Sequence, residues 1–364
     1  MLFLPLFLAL STVPHEADFY IGTYTSANGS KGIYQARLNT ATGAISEPEL
    51  SVEVANPSYV ALHPNGHFLY AVQEARSGEV SAFMVGHDRR LSLLNTQSFK
   101  GADPCHLSVT PSGHHLFAAA YTGGSVACFP IKSNGSLDVP SSVVQNSGSG
   151  PDKSRQEGPH AHAIYTDARG RFVYSCDLGT DELLAFRLDS KKGALTPAVP
   201  RSSKTPAGGG PRHLAFHPNG MFVYGNNEMG NSVTFYHEDP ATGALTQIQT
   251  LSTLPEGVSG HGNSTAEIAL HPNGKWLYVS NRGHDSIAVY EVGEDGRLTL
   301  SEVKQAGVKV PRGFGIDPSG KWLVVAGQAS NDLTALAIDP HTGRLAAGAS
   351  RVRLDKPVCV LFAK

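Results

Sequence analysis

Apolar and polar residues alternate in short runs along this chain, and one stretch shows the pattern in full. From Gly208 to Tyr236 the sequence reads GGGPRHLAFHPNGMFVYGNNEMGNSVTFY. Three alternating apolar runs are separated by a tight HPNG turn and a polar corner, which predicts three successive β-strands. The turn forms readily because its proline presets φ and Gly220 accepts a left-handed conformation. The hairpin also sets Arg212 level with Glu228, since each lies eight residues from Gly220.

The same turn recurs along the chain at nearly constant spacing. It reads HPNG, TPSG, TDARG or DPSG, and an apolar run such as FLYAV or WLYVS follows each copy. The intervals between the six turn glycines are 47, 57, 50, 54 and 46 residues. A second turn, of the ATGAL type, occurs seven times further along the units. Units of about 50 residues with four strands each are typical of β-propeller blades.

The two ends of the chain complete the repeat. Lys356 to Phe362 matches the first strand of a unit, and Phe19 to Tyr24 matches the second. A blade shared between the chain ends closes a propeller ring. The sequence therefore predicts an all-β, seven-bladed β-propeller of four-stranded blades, formed as one domain by residues 18–364.

The alternation of turns separates two faces of the predicted ring. Both short turns of a unit lie on one face, whereas the corners and the links between blades lie on the other. The longer links are expected at residues 139–158, 201–210 and 252–264. Because functional groups concentrate on loops held by a rigid scaffold, we expect the site on this loop face, around the channel mouth.

The first ten residues, MLFLPLFLAL, form an apolar run too short to span a bilayer. Small and polar residues follow, which favours a signal peptide in residues 1–17 with cleavage between Ser11 and Ala17. A signal peptide implies a periplasmic or secreted protein; without one, the protein is cytoplasmic. No Lys or Arg precedes the run and Pro5 interrupts it, so a ragged first segment or an incorrect start codon is the alternative.

Composition narrows the range of partners. Charged residues make up 16% of the chain, and the net charge is −2 with both signs scattered. This distribution provides no basic surface for nucleic acid, and we expect neither nucleic-acid binding nor membrane insertion. A closed ring leaves few free sheet edges, which favours a monomer. Cys105 and Cys128 fall on the first and third strands of one blade, beyond disulfide reach, so free and mostly buried thiols are expected.

The register of the blades brings reactive side chains together at one end of the inner strands. Carboxylates, three arginines and several histidines converge there, where a purely structural ring would repeat small or apolar residues. The positions eight residues after each turn glycine are Glu74, Tyr121, Leu178, Glu228, Arg282 and Gln328. The opposing positions are Ser58, Cys105, His106, His162, Arg212, His213, Glu267 and Arg312. The alternative for Arg212 and Glu228 is a structural ion pair that closes one blade.

His160 and His162 have a spacing that can place two imidazoles on one metal. The sequence fixes no third ligand, so we expect no metal and no cofactor. The chain also lacks a GxSxG elbow, an HExxH motif, a P-loop and a dinucleotide fingerprint, and those chemistries have no support.

Four strings resemble a known family: GPHAHAIYTD, GPRHLAFHPNG followed by NNE, SNRGHDSI, and VPRGFGIDPSGKWLVVAGQ. They are similar to the lactonase family of seven-bladed propellers, which includes propeller-type 6-phosphogluconolactonases and carboxymuconate lactonising enzymes. The resemblance runs from about Asp18 to the C-terminus. It implies a catalytic set of His160, Arg212, Glu228 and Arg282. His106 and Arg312 match further substrate contacts, and register adds His162, Gln328 and Glu74.

Hydrolysis of a sugar-acid lactone is the function that this resemblance implies. A base activates water, and His160 and Glu228 both remain candidates for it. Arg212 and Arg282 would hold an anionic substrate and stabilise the oxyanion. Two alternatives stay open: a lactonising isomerase of a muconate acid, and a non-catalytic propeller that binds a sugar or protein partner.

Overall fold

The repeated turns divide the chain into 28 β-strands that form seven four-stranded antiparallel sheets. The structure is a computed structural model, and it describes residues 15–363. The prediction of an all-β, seven-bladed propeller is confirmed. Each sheet is one blade, and the blades are numbered here from the first complete one.

The strands of the first three blades follow the chain in order. Blade 1 contains β4 (Val60–Leu62), β5 (Phe68–Gln73), β6 (Glu79–Val85) and β7 (Leu91–Ser98). Blade 2 contains β8 (Pro104–Val109), β9 (His115–Ala120), β10 (Ser125–Pro130) and β11 (Ser142–Gln145). Blade 3 contains β12 (Ala161–Thr166), β13 (Phe172–Asp177), β14 (Glu182–Asp189) and β15 (Ala194–Lys204).

The next three blades repeat the same order. Blade 4 contains β16 (Pro211–Phe216), β17 (Phe222–Asn227), β18 (Ser232–Glu238) and β19 (Leu245–Ser252). Blade 5 contains β20 (Ser264–Leu270), β21 (Trp276–Arg282), β22 (Ser286–Val292) and β23 (Leu298–Gln305). Blade 6 contains β24 (Pro311–Ile316), β25 (Trp322–Gly327), β26 (Asp332–Ile338) and β27 (Leu345–Arg353).

Blade 7 joins the two ends of the chain, as the sequence predicts. It contains β28 (Pro357–Phe362), β1 (Glu16–Thr23), β2 (Gly32–Asn39) and β3 (Glu49–Glu53), paired in that order. Phe19 pairs with Phe362 across the closure. Residues 1–14 of the predicted signal peptide lie outside the described part of the chain. The signal peptide therefore stays a prediction.

Two of the predicted links are shorter than expected. The link at 139–158 contains β11, and the link at 201–210 begins inside β15. Both strands are the outermost of their blades and are partly exposed, so their sequences lack the continuous apolar run that marks an inner strand. The link at 252–264 lies between β19 and β20 as predicted.

Apolar contacts between neighbouring blades form the core. Each of the seven seams contains its own cluster of buried residues, such as Phe19, Ile21 and Val324 between blades 7 and 6. Hydroxyl groups on the second strands add hydrogen bonds across the seams. Tyr224 donates to the carbonyl of Gly296 at 2.9 Å, and Tyr70, Tyr174 and Tyr278 donate to equivalent glycines in their next blades. The blades are therefore held in register by both packing and specific hydrogen bonds.

The turn face is tied together in the same way. His63, His217 and His271 precede the turn prolines, and the Nε2 of each contacts the turn-glycine carbonyl of the next blade at 2.8–3.2 Å. These histidines therefore have a structural role far from the loop face. The four cysteines are free and buried, as expected. Residues 15–363 contain no helix that is long and apolar enough to cross a membrane.

Candidate active site

A β-bulge recurs where the inner strands reach the loop face. The register shifts at Cys105 in β8, His162 in β12, Arg212 in β16 and Arg312 in β24, and across Ala266 and Glu267 in β20. A bulge adds a residue that re-aims its side chain out of the regular alternation. Most of these side chains line one central cavity, together with Ser58 and His213. The repeated bulge is thus what directs reactive groups from separate blades to the axis.

Glu228 lies at the centre of the site; it accepts hydrogen bonds from Arg155 and Arg212 and forms an ion pair with Arg282. Arg212 Nε and Arg282 Nη2 each lie 3.0 Å from its Oε2, and Arg155 Nη2 lies 2.9 Å from its Oε1. The carboxylate is buried, with a side-chain exposure of 7%. The register prediction that Arg212 lies level with Glu228 is confirmed, and Arg282 joins them from blade 5.

The ionisation of Glu228 follows from these partners. Burial raises the pKa of its carboxyl, but the positive charges of Arg282, Arg212 and Arg155 outweigh burial and lower the pKa to about 2. Burial lowers the pKa of Arg282 to about 10, so that guanidinium also stays charged at neutral pH. Glu228 is therefore a permanent anion with very weak basicity.

His160 lies at the rim of the site, and each of its ring nitrogens has a polar neighbour. Its backbone N–H donates to Asp177 at 2.9 Å, and its ring stacks on Tyr121 with 4.6 Å between centroids. Nδ1 lies 3.0 Å from the carbonyl oxygen of Tyr121, which fixes the proton of a neutral ring on Nδ1. Nε2 then carries the lone pair, and it faces the exposed carboxylate of Glu157 at 3.2 Å.

His162 and His106 lie deeper than His160. His162 Nε2 is 3.8 Å from Glu228 Oε2, and burial together with Arg212 lowers the pKa of His162 well below its usual value. His106 is completely buried between Tyr59 and Tyr165, with ring centroids 4.3 and 4.5 Å away. These aromatic rings close the channel beneath the site. A direct contact between His106 and substrate stays a prediction, because the ring forms part of this floor.

The remaining predicted residues lie on the other side of the cavity. Both oxygens of Glu74 accept from the hydroxyl of Tyr24 at 2.9 Å, and Arg312 lies over the Tyr24 ring at 5.5 Å. Gln328 follows β25, and its backbone N–H donates to Val310 at 3.0 Å. The structure thus places Arg312 at the central cavity. For Gln328, the contact seen among the described residues is this backbone hydrogen bond.

A second carboxylate, Glu267, has the opposite environment to Glu228. Its Oε1 accepts from His213 Nδ1 at 2.9 Å, and the other ring nitrogen of His213 accepts from Arg212 Nη1 at 3.2 Å. Burial raises the pKa of Glu267 to about 7, against the opposing effect of Arg212. Two neighbouring carboxyl groups with widely separated pKa values are typical of acid–base sites. The register placed Glu267 at an inner position, but only its burial shows that it titrates near neutral pH.

Arg155 is a site residue that sequence reasoning missed. It comes from the link between blades 2 and 3, which has no register relation to the inner strands. Its Nη2 donates to the Tyr121 hydroxyl at 3.1 Å as well as to Glu228. No pattern in the sequence marks it, because its position depends on the path of an irregular loop.

No group of three or more metal-ligating side chains is found among residues 15–363. His160 and His162, which share the spacing of a metal pair, point to different partners: Tyr121 and Glu157 for the first, Glu228 for the second. The structure therefore does not bring these two imidazoles onto one site.

The ring of seven blades and the arginine-rich site on its loop face define a β-propeller with several charged side chains around its central opening. The chain belongs to the lactonase, 7-bladed β-propeller family, whose family model matches residues 18–362. A 6-phosphogluconolactonase of Bacillus subtilis is 37% identical over 346 residues, which cover 94% of this chain and 97% of that protein. A 6-phosphogluconolactonase of Formosa agariphila is 31% identical over 338 residues, covering 90% and 94%.

A solved structure extends the comparison. The periplasmic gluconolactonase of Pseudomonas aeruginosa is 28% identical and superimposes with a TM-score of 0.89 over 96% of this chain and 99% of that one. The family resemblance seen in the sequence is therefore confirmed along nearly the whole chain.

Proposed function

We propose that the protein hydrolyses the lactone of a sugar acid, with His160 as the base that activates water. The lactone hydrolases among its relatives and its membership of the lactonase family support this activity. The observation that carries the proposal is the arrangement of Arg212 and Arg282 around one buried carboxylate, with an imidazole at the rim whose Nε2 lies beside an exposed carboxylate.

Hydrolysis requires water to attack the lactone carbonyl carbon. His160 Nε2 takes a proton as the water oxygen bonds to carbon, and the nearby Glu157 carboxylate stabilises the imidazolium that forms. The carbonyl oxygen becomes negative, and the guanidinium groups of Arg212 and Arg282 stabilise that charge. The ring C–O bond then breaks, and the proton held by His160 passes to the departing oxygen. The products are a carboxylic acid and a hydroxyl group of one open-chain sugar acid, and the carboxylic acid then releases its proton to solvent and becomes a carboxylate.

Glu228 has a different role in this proposal. A carboxylate with a pKa of about 2 is too weak a base to take a proton from water at neutral pH. It instead holds Arg212 in place by a charge-assisted hydrogen bond and Arg282 by an ion pair, both at 3.0 Å. Between the two candidates that the sequence left open, the geometry supports His160 as the base.

We also propose that the protein is exported. The apolar run at residues 1–10 favours a signal peptide, and a solved relative is described as a periplasmic gluconolactonase. Because sugar phosphates are chiefly cytoplasmic, an exported enzyme would act on lactones without a phosphate. Cell fractionation of the tagged full-length chain tests this: recovery in the cytoplasm with residues 1–17 still attached would contradict export.

A lactone panel tests the proposed activity. Acid release from gluconolactone, its 6-phosphate and carboxylated sugar lactones is followed with a pH indicator, with and without a chelator. We expect acceleration of at least one lactone and no loss of rate on chelation. If no lactone is hydrolysed faster than in buffer, the proposed activity is wrong; loss on chelation would instead indicate a metal.

Substitution of the base tests the mechanism. We expect His160→Ala to lower kcat by about 10² to 10⁴, the range that a general base contributes. Glu228→Gln should also lower kcat by orders of magnitude, because the arginines lose their common anchor. The exposed turn-face residue His67 provides the control, and His67→Ala should keep the wild-type rate. Near-normal turnover in both site variants would contradict this assignment.

A further inference from the structure

Arg155 reaches the site from the link between blades 2 and 3, and the next residue anchors that link. Gln156 is completely buried. Its Nε2 donates to the Leu178 carbonyl at 2.8 Å and to Asp181 Oδ1 at 2.7 Å, and its Oε1 accepts from the Asp152 N–H at 3.1 Å. The backbone beside Arg155 is therefore anchored to blade 3. The Arg155 side chain extends from this backbone into the site.

Arg155 differs from the other arginines around Glu228 in its access to solvent. Its side chain is 43% exposed, whereas that of Arg212 is 3% and that of Arg282 is 15% exposed. Its two described partners, Tyr121 and Glu228, are contacted through Nη2 alone. The guanidinium thus closes one side of the mouth and presents its outer edge to an incoming ligand.

Glu228 does not depend on Arg155 for charge compensation. Arg212 and Arg282 both bind Oε2, so the buried carboxylate keeps two cationic partners when Arg155 turns away. Breaking a buried ion pair is costly mainly when it leaves a charge without a partner. Arg155 can therefore exchange its bond to Glu228 for a bond to a ligand at modest cost.

The size of the inner cavity decides where a charged group of the substrate can bind. The cavity bounded by Arg212, Glu267 and Arg312 has a volume of about 10 Å³. A volume of about 10–15 Å³ accommodates a single water molecule. A phosphate or carboxylate is several times larger, so it stays at the mouth, where Arg155 is the most exposed cation of the cluster.

We infer that Arg155 binds the anionic group of the substrate at the channel mouth and sets the preference of the enzyme for charged over neutral lactones. This inference rests on the proposed lactonase function and adds to it the residue that selects for an anionic group on the sugar lactone: a carboxylate for an exported enzyme, a phosphate for a cytoplasmic one. Arg155 is a specificity-determining residue, distinct from the base and from the arginines fixed to Glu228.

Kinetics of Arg155→Met test the inference. For gluconolactone 6-phosphate and a carboxylated lactone, we expect kcat/KM to fall about 10- to 100-fold, mostly through KM, because a charge-assisted hydrogen bond is lost. For neutral gluconolactone, kcat/KM should stay within about threefold. A fall confined to one charged lactone identifies phosphate or carboxylate as the group that is bound, and both results support the inference.

A matched control lies two residues away. Lys153 is an exposed cation on the same link. The hydrogen bond that its side chain makes within the described residues is to the Gly150 carbonyl, at 3.2 Å. Lys153→Met removes the same charge from the same loop and should leave every substrate within about twofold. Equal losses of Arg155→Met on charged and neutral lactones, or no loss on any, would overturn the inference.

Binding measurements separate this inference from the proposed reaction. Titration calorimetry with 6-phosphogluconate requires no turnover, and we expect Arg155→Met to weaken binding about tenfold while Lys153→Met does not. Equal affinity of Arg155→Met and the wild type would refute the role of Arg155 even in an active enzyme. A protein that binds this anion through Arg155 but hydrolyses no lactone would refute the reaction and retain the binding site.

Discussion

Among three glutamates with little exposure to solvent, Glu228 titrates far below Glu238 and Glu267 because its neighbours differ. Glu228 has three arginine partners and a pKa of about 2. Burial raises the pKa of Glu267 to about 7, and burial together with Asp167 raises the pKa of Glu238 to about 7 as well. The amino-acid type is the same in each case, so the side chains around it determine its chemistry.

Glu238 lies away from the site and allows a clean test of this effect on stability. Asp167, Tyr174, Arg169 and Arg171 face it from blade 3, and it is 3% exposed. Since its folded pKa of about 7 lies above the unfolded value of 4.5, the native state binds the proton more tightly. The contribution of Glu238 to stability is therefore greatest below about pH 4.5 and is lost as pH rises to about 7.

We expect Glu238→Gln to remove this dependence. Relative to the wild type, the free energy of unfolding of the variant should rise by on the order of 2 kcal/mol between pH 4.5 and pH 7.5. Urea denaturation across this range measures the difference. Glu291 is exposed on the third strand of blade 5, and Glu291→Gln should show no such trend. A pH-independent difference between Glu238→Gln and the wild type would contradict the raised pKa.

Register explains which site residues the sequence could predict. Arg212, Glu228 and Arg282 lie at fixed distances from turn glycines, so the repeat alone brings them to one end of the inner strands. Arg155 and Tyr24 escape this reasoning. The first lies on an irregular link, and the second follows the strand that closes the ring.

At the scale of the element, the inner strand and its bulge connect the fold to the site. The bulge at Arg312 requires close contact with the neighbouring blade, and Gly313 permits it. A Cβ at position 313 would lie 2.3 Å from the carbonyl oxygen of Val358 in β28. Because that atom belongs to the backbone, it cannot move aside as a flexible side chain would.

Gly313→Ala should therefore destabilise the protein. We expect the free energy of unfolding to fall by about 1–3 kcal/mol, as for other overpacked cores, and activity to fall with it as Arg312 shifts. Gly158 provides the control, since nothing lies within 4 Å of a Cβ added there. Equal urea midpoints for Gly313→Ala and Gly158→Ala would show that the seam is looser than described.

The outer strands are the elements for which sequence patterns failed. β11 and β15 have polar, partly exposed positions, and both fall within stretches that read as links. An inner strand is buried on both faces and shows a continuous apolar run, whereas an edge strand packs on one side only. The apolar sequence pattern that predicts a strand is therefore strong in the inner strands near the axis and weak in the outer strands at the rim.

At the scale of the molecule, the ring depends on the pairing of β28 with β1. Phe19, Tyr20 and Ile21 pair with β28 residues, and they belong to the apolar clusters on either side of blade 7. Without β28, the edge of β1 and these apolar side chains would face solvent. Exposed edges of this kind pair with other chains.

Deletion of residues 355–364 should therefore open the ring. We expect the truncated chain to lose its cooperative thermal transition and to aggregate, as seen by scattering and size-exclusion chromatography. A chain that starts at His15 keeps every described pair of β1 and should retain the wild-type Tm. A monomeric truncated chain with an unchanged Tm would show that ring closure contributes little.

The sequence by itself determined the number of blades, the strand order and the closure of the ring, because these follow from a local pattern repeated at constant spacing. It also determined that Arg212, Glu228 and Arg282 meet near the axis. Only the tertiary structure decided which carboxylate stays ionised, which one titrates near neutral pH, and that Arg155 reaches the site. These properties depend on burial and on contacts between segments far apart in the chain, and no local pattern encodes them.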